Sequence, residues 1–554
     1  MKKVPQKVTR RKELLVKGTH LMLRQINMSP EVRHARRIFR SLVIEDPSFN
    51  EMPLVGERIL IPTMRDWAVH VHIEAFLGHL LRVSGAEVRH MTCGGGLKIC
   101  DRANTWEGPP MPCRSCTKYV NSSLKAHGVE FKPLAPNWGE TDWTELDNLS
   151  LRELREVEYK GLPLGALVEI PVKWFLLGET LAEDPLGTAT YRKFLISARS
   201  IVDAAERMLD EFAPTQVLLL NGLFLFESIV WELCKLRNID VVSYERSFIL
   251  DTFFFARNDG AGFCKVDDVW AEWQNIQLSD DENAELDKYL NDRQLGLRTS
   301  DDYWKDVRES NVKRIRGGRR AVLFTNLVWD SAVLRQDVAF PSIVDWIVAA
   351  IEEFRDRPND ELVIRIHPAE TKLSGRESRE EMETAVRGRI RQIPENVIII
   401  PSTDPTSSYQ LMKEADFGLV YSSTTGMEMV LTGKPVVVSA KTHYRNKGFT
   451  IDVNTAEEFK RAIDSLTSDK SDLLPNLDLA RKYAYLFFFR APYSSMGVTE
   501  PIRGLVSMTS EKPFKLLGAE NIDIQRFVSA MASKSSFNPP ANSIASPPRS
   551  QNLQ

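Results

Sequence analysis

Short runs rich in apolar residues alternate with amphipathic stretches along most of the 554-residue chain. The short runs predict buried strands, and the stretches with apolar positions every three or four residues predict helices. The strands predicted in this way are 58–63, 87–92, 215–220, 240–244, 321–325, 361–366, 396–400, 417–420 and 435–438. Their alternation with helices predicts parallel sheets covered on both faces, which is an α/β fold.

A chain of this length exceeds what one hydrophobic core supports, so we expect two α/β domains with flanking segments. A highly charged stretch (277–312) separates the two blocks of strands, and sequence rich in Ser, Pro and Asn after Ser533 predicts a disordered tail. The expected segments are a basic arm (1–52), a first Rossmann-like domain (53–315), a second Rossmann-like domain (316–470), C-terminal helices (471–532) and the tail (533–554).

The charge balance narrows the possible partners. A formal net charge of −3 argues against nucleic-acid binding, because neutralising phosphates needs a basic surface. No run approaches the roughly 20 apolar residues that cross a bilayer, and no signal sequence is recognisable, so we expect a cytoplasmic protein. Residues 1–40 nevertheless carry twelve Lys or Arg against two acids, Glu13 and Glu31. This segment either rests peripherally on the anionic inner membrane or is a solvated arm.

A His-Pro element follows the predicted strand 361–366. It consists of Arg365, His367, Pro368 and Glu370. Open parallel sheets bind ligands outside the carboxyl ends of their strands, so the location suits a binding site. Arg and His there can meet a phosphate or a sugar carboxylate, while Pro368 fixes the turn. The alternative interpretation is an ordinary turn that ends the strand.

A run of hydroxyl residues follows the strand 417–420 and precedes a predicted helix. The run is Ser422, Ser423, Thr424 and Thr425, and Gly426 comes next. Backbone N–H groups at such a turn form an anion site, to which the hydroxyls add donors. An ordinary helix cap needs only one hydroxyl. Glu428 is placed to bond a ribose, or else it is a solvent-facing carboxylate in the first turn of the helix.

Two more polar loops follow strands of the same half. Asn326 and Asp330 come after strand 321–325, and the loop after strand 435–438 contains His443, Tyr444, Arg445 and Lys447. The second loop suits a phosphate and a stacked base. Each loop taken alone could consist of solvated residues, but four polar loops at one edge of one sheet favour a shared ligand.

Four segments together resemble a known family. They are His-Pro-Ala-Glu (367–370), Ser-Ser-Thr-Thr-Gly-Met-Glu (422–428), Gly-Lys-Pro-Val-Val-Val (433–438) and His-Tyr-Arg-Asn-Lys-Gly-Phe-Thr (443–450). They resemble bacterial capsule polysaccharide biosynthesis proteins, similar to the capsule Kdo transferases and more distantly to bacterial sialyl- and polysialyltransferases. The resemblance covers roughly residues 320–455. It implies the GT-B fold, in which two Rossmann-like domains enclose an interdomain cleft.

The resemblance also implies a function. The first domain would bind the acceptor and the second a nucleotide-sugar donor, with CMP favoured as the nucleotide. His367, Ser422, Ser423 and Thr424 would contact the nucleotide and its phosphate. The chain would then be a glycosyltransferase of the Leloir type that needs no cofactor for transfer to a glycan or lipid-linked glycan.

The catalytic roles are assigned from position. The negative charge of the departing phosphate would be stabilised by His367, Arg445, Lys447 and the 422–424 turn. The first domain should supply a base for the acceptor hydroxyl, and our candidates are Asp66 and His70, with Glu227 and Glu245 behind them. A retaining double displacement would need a carboxylate at the anomeric carbon, for which Glu370 and Asp330 are candidates.

Three other functions remain open. His-Pro and Ser-Ser elements also resemble those of polymerases that transfer glycerol phosphate from CDP-glycerol. A nucleotide-sugar epimerase would share the fold, although epimerases are usually shorter and lack a cysteine segment. A non-catalytic scaffold in a capsule complex would keep the fold but would have no use for both His367 and the hydroxyl run.

The cysteines form one cluster, in a segment (93–116) that we expect to be an insertion into the first domain. Its members are Cys93, Cys100, Cys113 and Cys116. One Cys-x-x-Cys pair with two further thiols nearby is compatible with a tetrahedral structural zinc site. An iron–sulfur cluster and free or redox-active thiols are the alternatives. Any metal would serve folding rather than glycosyl transfer.

Overall fold

The structure is a computed structural model. It describes residues 29–39, 53–107, 111–135, 138, 142–178, 184–295, 312–330, 333–373, 375–468, 473–494, 497–502, 505–508 and 521–541. Most of the predicted basic arm lies outside these residues. In the part that is described, no helix is both long and apolar enough to cross a membrane.

Two six-stranded sheets organise the molecule. The first has the order β3-β2-β1-β4-β5-β6, and its strands are parallel except for β6, which runs antiparallel to β5. Its strands are β1 (Arg58–Pro62), β2 (Glu87–Thr92), β3 (Phe131–Pro133), β4 (Gln216–Leu220), β5 (Asp240–Arg246) and β6 (Phe253–Arg257). Every residue of β4 is buried, as expected for a sheet covered on both faces.

The second sheet has the order β12-β11-β10-β7-β8-β9 and is parallel throughout. Its strands are β7 (Arg320–Phe324), β8 (Glu361–Arg365), β9 (Val397–Ile400), β10 (Phe417–Val420), β11 (Val436–Val438) and β12 (Ile451–Asp452). All nine strands that the apolar pattern predicts are therefore present. The predicted fold class, two Rossmann-like parallel-sheet domains, is confirmed.

Helices connect the strands and cover both sheets. Those up to the second sheet are α1 (Pro30–Phe39), α2 (Ala68–Val83), α3 (Cys113–His127), α4 (Leu151–Arg155), α5 (Leu164–Leu176), α6 (Pro185–Phe212), α7 (Leu225–Leu236), α8 (Asp267–Trp273) and α9 (Asp280–Gln294). Those that follow are α10 (Ile343–Arg355), α11 (Ala369–Lys372), α12 (Met382–Arg389), α13 (Ser408–Glu414), α14 (Thr425–Val430), α15 (Ala456–Thr467), α16 (Leu477–Tyr485) and α17 (Ile522–Ser533).

The cysteine segment is a connection rather than an insertion. Residues 93–107 and 111–112, the described part of the link after β2, are irregular, and Cys113 and Cys116 lie on the first turn of α3. Helix α3 leads directly into β3, which pairs in parallel with β2. The segment is therefore the crossover of an ordinary β-α-β unit, which needs a helix to return the chain to the start of the next strand.

The C-terminal region returns to the first domain. After α16, a five-residue π-helical turn (Leu486–Arg490) leads to a hairpin of β13 (Val498–Ile502) and β14 (Leu505–Met508), which the sequence pattern did not predict. This hairpin and α17 share a hydrophobic core with α2 and the first sheet. The disorder predicted from residue 533 is wrong as far as residue 541, because Phe537 is buried against Phe255 and Phe527.

Candidate functional site

Three adjacent strands of the second sheet end at the same level. In the order β10-β7-β8, Val420 pairs with Phe324, and Phe324 pairs with Arg365. The residues two positions beyond these partners are Ser422, Asn326 and His367. We call these three residues the donor edge. The parallel register alone brings them side by side, although they are distant in sequence.

His367 is held by backbone and side-chain contacts at the end of β8. Its backbone N–H donates to the Thr325 hydroxyl (3.0 Å), and its Nδ1 accepts from the Ala369 backbone N–H (3.1 Å). Because Nδ1 acts as an acceptor, the proton of the neutral ring must lie on Nε2. The half-buried imidazole therefore has a hydrogen-bond donor on the side away from Ala369.

The other two members of the donor edge have unsatisfied polar atoms. The Ser422 hydroxyl and the Asn326 amide oxygen are both buried, and neither has a hydrogen-bond partner among the described residues. A buried polar atom without a partner costs about 1–3 kcal/mol. Such exceptions need an explanation, and a ligand that supplies the missing partners is the simplest one here.

The hydroxyl turn itself is rigidly built. The Ser423 hydroxyl donates to the Thr425 hydroxyl (2.9 Å), and the Tyr444 hydroxyl donates to the Ser423 carbonyl (2.5 Å). A side chain at Gly426 would collide with the Tyr444 hydroxyl. Tyr444 is fully buried, so it holds the turn and cannot stack on a base, as its sequence position had suggested.

Two arginines predicted to bind the donor instead donate hydrogen bonds to backbone carbonyls of the protein. The buried Arg365 donates to the carbonyls of Pro401 (2.7 Å) and Asp404 (3.0 Å). The buried Arg445 donates to the carbonyls of Val438 (3.0 Å) and Val453 (2.7 Å). Both guanidinium groups hold loops of the second sheet, because a buried charge must be satisfied wherever partners are near.

Glu428 and Lys447 are paired as well. One carboxylate oxygen of Glu428 accepts from Arg293 (2.7 Å), and the other accepts from the Tyr409 hydroxyl (2.6 Å). Lys447 forms an ion pair with Asp267 at the start of α8. The predicted contacts with ribose and phosphate would break these pairs, so both side chains tie α8 and α9 to the second sheet instead.

His443 lies in an aromatic cluster. Its ring stacks on Phe487 with the centroids 3.9 Å apart, and its Nδ1 lies 3.1 Å from the Tyr483 hydroxyl. Burial and the nearby Lys447 lower the pKa of His443 to about 3. The ring is therefore neutral at physiological pH and brings no positive charge to a phosphate.

Glu370 shapes the loop that follows the His-Pro element. One of its carboxylate oxygens accepts from the Met382 backbone N–H (2.7 Å), and burial raises its pKa to about 7. The loop 375–382 that it holds contacts the first domain, where Asn104 donates to the Gly375 carbonyl (3.0 Å). The catalytic role predicted for Glu370 gains no support, because the carboxylate is buried and faces its own loop.

Asp330 is the predicted donor-side carboxylate that lies near the first domain. It is half-buried, and its charge helps to raise the pKa of Glu245, after the burial of Glu245 itself. Glu245 lies in β5 and accepts from Asn221 (2.7 Å). The carboxyl edges of the two sheets therefore face each other across a cleft.

The first sheet carries its own polar cluster at the end of β1. Asp66 is ion-paired with Arg102. Arg65 is buried between Asp101 (3.4 Å) and Glu227 (2.6 Å). Of the predicted bases, Asp66 and Glu227 are therefore engaged in ion pairs with arginines. Burial raises the pKa of Glu227 to about 7 in spite of Arg65.

His70 has orienting partners that the sequence pattern does not reveal. Its Nδ1 lies 3.2 Å from the Tyr244 hydroxyl, which donates to Glu74 (2.7 Å). Because the Tyr244 proton goes to Glu74, Tyr244 accepts from Nδ1–H and leaves Nε2 as an acceptor. Burial, with Arg246 and Arg65 nearby, lowers the pKa of His70 to about 3, so the ring is neutral. Glu74 could have been found as the acid one helical turn after His70 in an apolar helix.

The four clustered cysteines do not form a metal site. Among the described residues, no group of three or more His, Cys, Asp or Glu side chains is arranged to hold a metal ion. Burial raises the pKa of the Cys93 and Cys100 thiols to about 12. The predicted zinc is not supported, since these side chains pack against the core of the first domain.

Two Rossmann-like domains with facing carboxyl edges define the GT-B architecture. Residues 277–473 match the family model described as capsule polysaccharide biosynthesis protein. All four segments that carried the predicted resemblance fall within this match, so the resemblance is confirmed for this part of the chain. No curated protein matches the chain in sequence.

Several solved structures resemble the chain. The beta Kdo 2,7 transferase KpsC of Thermosulfurimonas dismutans is 12% identical over 57% of this chain and 88% of that chain, with a TM-score of 0.32. The glycosyltransferase SnogD from Streptomyces nogalater is 13% identical over 79% and 96%, with a TM-score of 0.23. The UDP-GlcNAc 2-epimerase from Neisseria meningitidis is 10% identical over 77% and 98%, with a TM-score of 0.23.

Because the Ser422 hydroxyl is unsatisfied, its removal tests whether the residue binds a ligand or stabilises the fold. Ser422→Ala removes no hydrogen bond to any described residue, so the free energy of unfolding should not fall. Ser423→Ala removes the bond to Thr425 and should lower it by about 1 kcal/mol. Urea unfolding measures both effects. In thermal shift with CMP, Ser422→Ala should weaken binding roughly tenfold or more, as for a lost bond to a charged group. A clear loss of stability with unchanged CMP binding would contradict this assignment.

Proposed function

We propose that this protein is a glycosyltransferase of capsule-type polysaccharide biosynthesis. It transfers a sugar from a nucleotide donor, with a CMP-sugar favoured, to a hydroxyl of a glycan acceptor. The observation that carries the proposal is the donor edge, where a histidine N–H donor stands beside two buried polar atoms without partners among the described residues. The family match over residues 277–473 supports the same function.

The donor edge fits the departure of a nucleotide. In the transfer, a bond forms between the acceptor oxygen and the anomeric carbon, and the bond from that carbon to the phosphate oxygen breaks. The electron pair leaves with the nucleotide phosphate. The His367 Nε2–H and the Ser422 hydroxyl donate to phosphate oxygens, and the Asn326 carbonyl accepts from a donor hydroxyl or amine. Preorganised hydrogen-bond donors of this kind usually lower the activation barrier more than any other single effect in an enzyme.

The first domain supplies the base. His70 is neutral, and its Nε2 accepts a hydrogen bond from the acceptor hydroxyl while Tyr244 and Glu74 fix the ring. Its lowered pKa makes it a weak base, so it orients this hydroxyl and takes the proton only as the bond to the anomeric carbon forms and the hydroxyl becomes acidic. Asp66 serves this role less well, because it is already paired with Arg102. If the reaction retains configuration, Asp330 remains the candidate carboxylate for a double displacement, since Glu370 holds its own loop.

The acceptor side is also expected to meet a membrane. On α1, Glu31 is buried while the arginines are exposed, and α3 packs against α1 and contains no acidic residue. The exposed cations of these two helices form what we call the basic face, which consists of Arg33, Arg36, Arg37, Arg114, Lys118 and Lys125. This face continues the charge of the arm before it and fits anionic headgroups, as expected for an enzyme that extends a lipid-linked glycan.

The role of His367 is tested by substitution. His367→Ala should lower the rate of nucleotide release from a CMP-sugar in the presence of acceptor by about 100-fold or more, as for the loss of one preorganised donor. The fold should persist, because the ring is only half-buried and lies outside the hydrophobic core. His34→Ala, which changes a half-buried histidine on α1 far from the donor edge, is the matched control and should keep full activity. Full activity of His367→Ala would remove the proposal.

The nucleotide class is tested by thermal shift with CMP, CDP, UDP and GDP. A ligand that binds only the folded protein raises the melting temperature. Stabilisation by CMP supports the proposal as stated. Preferential stabilisation by CDP would favour a glycerol phosphate transferase. Preferential stabilisation by UDP would favour an enzyme that uses a UDP-sugar, either a transferase or an epimerase. No stabilisation by any nucleotide would favour the non-catalytic scaffold.

The orienting role of Tyr244 is tested by Tyr244→Phe. Removing the hydroxyl frees the His70 ring, so kcat should fall roughly tenfold to a hundredfold, a part of what a general base contributes. The KM for the donor should stay unchanged. Tyr159→Phe also loses a hydrogen bond, to Asp203, far from the cleft and is the control. Equal losses of kcat in both variants would mean that the effect is only structural.

Membrane binding is tested by cosedimentation with vesicles. The protein should bind phosphatidylcholine vesicles that contain phosphatidylglycerol and should not bind phosphatidylcholine alone. Changing Arg33, Arg36 and Arg37 together to Gln should weaken binding roughly a hundredfold, at about 1 kcal/mol for each charge. The same change at Arg355, Arg387 and Arg389 of the second domain is the control. Equal binding to both kinds of vesicle would rule out the basic face.

A further inference from the structure

A cavity of about 210 Å³ opens at the carboxyl edge of the first sheet. Its walls are the loop between β5 and β6, the start of α2 and the start of β13. None of its polar residues was singled out by the sequence pattern or used in the donor edge. The volume is below the roughly 300–1,000 Å³ of sites for drug-sized ligands, so it suits a single small ring.

The polar wall offers both donors and acceptors. The Ser247 hydroxyl is buried and has no hydrogen-bond partner among the described residues. Asp251 accepts from the Glu500 backbone N–H (2.7 Å) through one carboxylate oxygen. Arg246 is ion-paired with Glu500. A mixed set of this kind matches the hydroxyl groups of a sugar, each of which donates one hydrogen bond and accepts others.

The charges of the wall discriminate between ligands. One guanidinium group, that of Arg246, faces two carboxylates, those of Asp251 and Glu500. Among the described residues of this wall, no positive charge is left unpaired for a phosphate or for the carboxylate of an acidic sugar. Desolvating an anion beside an excess carboxylate is unfavourable. The cavity therefore suits an uncharged ligand.

The remaining wall is apolar and reaches toward the second domain. Val69, Phe253 and Val498 supply apolar surface, and Phe248 lies exposed on the loop. Such surface packs against the C–H faces of a sugar ring. The Phe248 ring lies 6.3 Å from the His443 ring of the second domain, so the loop stands between the two sheet edges.

The cavity adjoins the proposed base. Val69 lines it and directly precedes His70, and Arg246 lies two residues after Tyr244, which orients His70. The charge of Arg246 also lowers the pKa of His70, so the imidazole lies close to this wall of the cavity. We propose that this cavity is the acceptor subsite and that it binds an uncharged sugar residue, the one whose hydroxyl is glycosylated. The inference rests on the proposed function for its catalytic meaning, while its ligand class rests on the cavity alone.

Saturation-transfer NMR tests the subsite without any donor. The neutral probes are methyl β-D-glucopyranoside, methyl β-D-galactopyranoside and methyl N-acetyl-β-D-glucosaminide, and the anionic probes are methyl β-D-glucuronide and inorganic phosphate. Ser247→Leu fills the cavity and removes a hydroxyl that makes no bond within the described residues. Ser529→Leu, on the exposed side of α17, is the matched control.

The expected result is a signal from at least one neutral glycoside with the wild-type protein and with Ser529→Leu. Ser247→Leu should reduce that signal by about tenfold or more, as for the loss of hydrogen bonds in a binding site. The absence of signal from all neutral glycosides would overturn the inference. An equal signal with Ser247→Leu, or displacement of the neutral probe by glucuronide or phosphate, would overturn it too.

The nucleotide thermal shift separates this inference from the proposed function. Ser247→Leu should keep the nucleotide-induced shift of the wild type, which also shows that the variant is folded. If neutral glycosides bind at the cavity while no nucleotide stabilises the protein, the proposed function fails and the sugar subsite stands. If nucleotides bind and the glycoside signal is insensitive to Ser247→Leu, only the subsite fails.

Discussion

Parallel pairing of strands is the constraint on which the rest of this structure depends. In a parallel sheet each crossover helix returns the chain to the same end, so every strand finishes at one edge. In the second sheet this brings Ser422, Asn326 and His367 together from three separate loops. In the first sheet it gathers His70 after β1 and Arg246 at the end of β5. The cleft is the space between two such edges, and neither set of residues would be adjacent in an antiparallel arrangement.

Burial then decides which polar residues remain for a ligand. A charged side chain near a sheet edge is costly unless it is paired, so Arg365, Arg445 and Glu428 find partners within the protein. A neutral hydroxyl or amide can stay unsatisfied at a smaller cost. The donor edge therefore consists of neutral groups, Ser422 and Asn326, beside a histidine. The arginines that the sequence suggests as phosphate ligands are therefore the residues that form hydrogen bonds within the fold.

The sequence pattern predicts much of the fold and less of the site. Apolar runs locate nine strands of the two sheets, because burial on both faces leaves a strong local signal. The pattern misses β3 and β12, which are too short to show it, the antiparallel edge strand β6, and the β13–β14 hairpin. The location of the donor edge follows from the strand ends. The partners of Arg365 do not, because they are backbone carbonyls of a distant loop and carry no signature in the sequence.

The edges of the two sheets differ in the ligand charge that they favour. In the proposed reaction the donor edge offers hydrogen-bond donors to a phosphate, whereas the cavity on the first sheet has one cation against two carboxylates and disfavours an anion. The two domains contact each other near these edges, where the ring of Trp174 on α5 lies 5.2 Å, between centroids, from that of Trp329 in the loop after β7. That loop also contains Asn326, so the same short segment carries a donor-edge residue and a contact between domains. In the proposed reaction, a nucleotide bound at the donor edge would sit against the same loop that contacts the first domain.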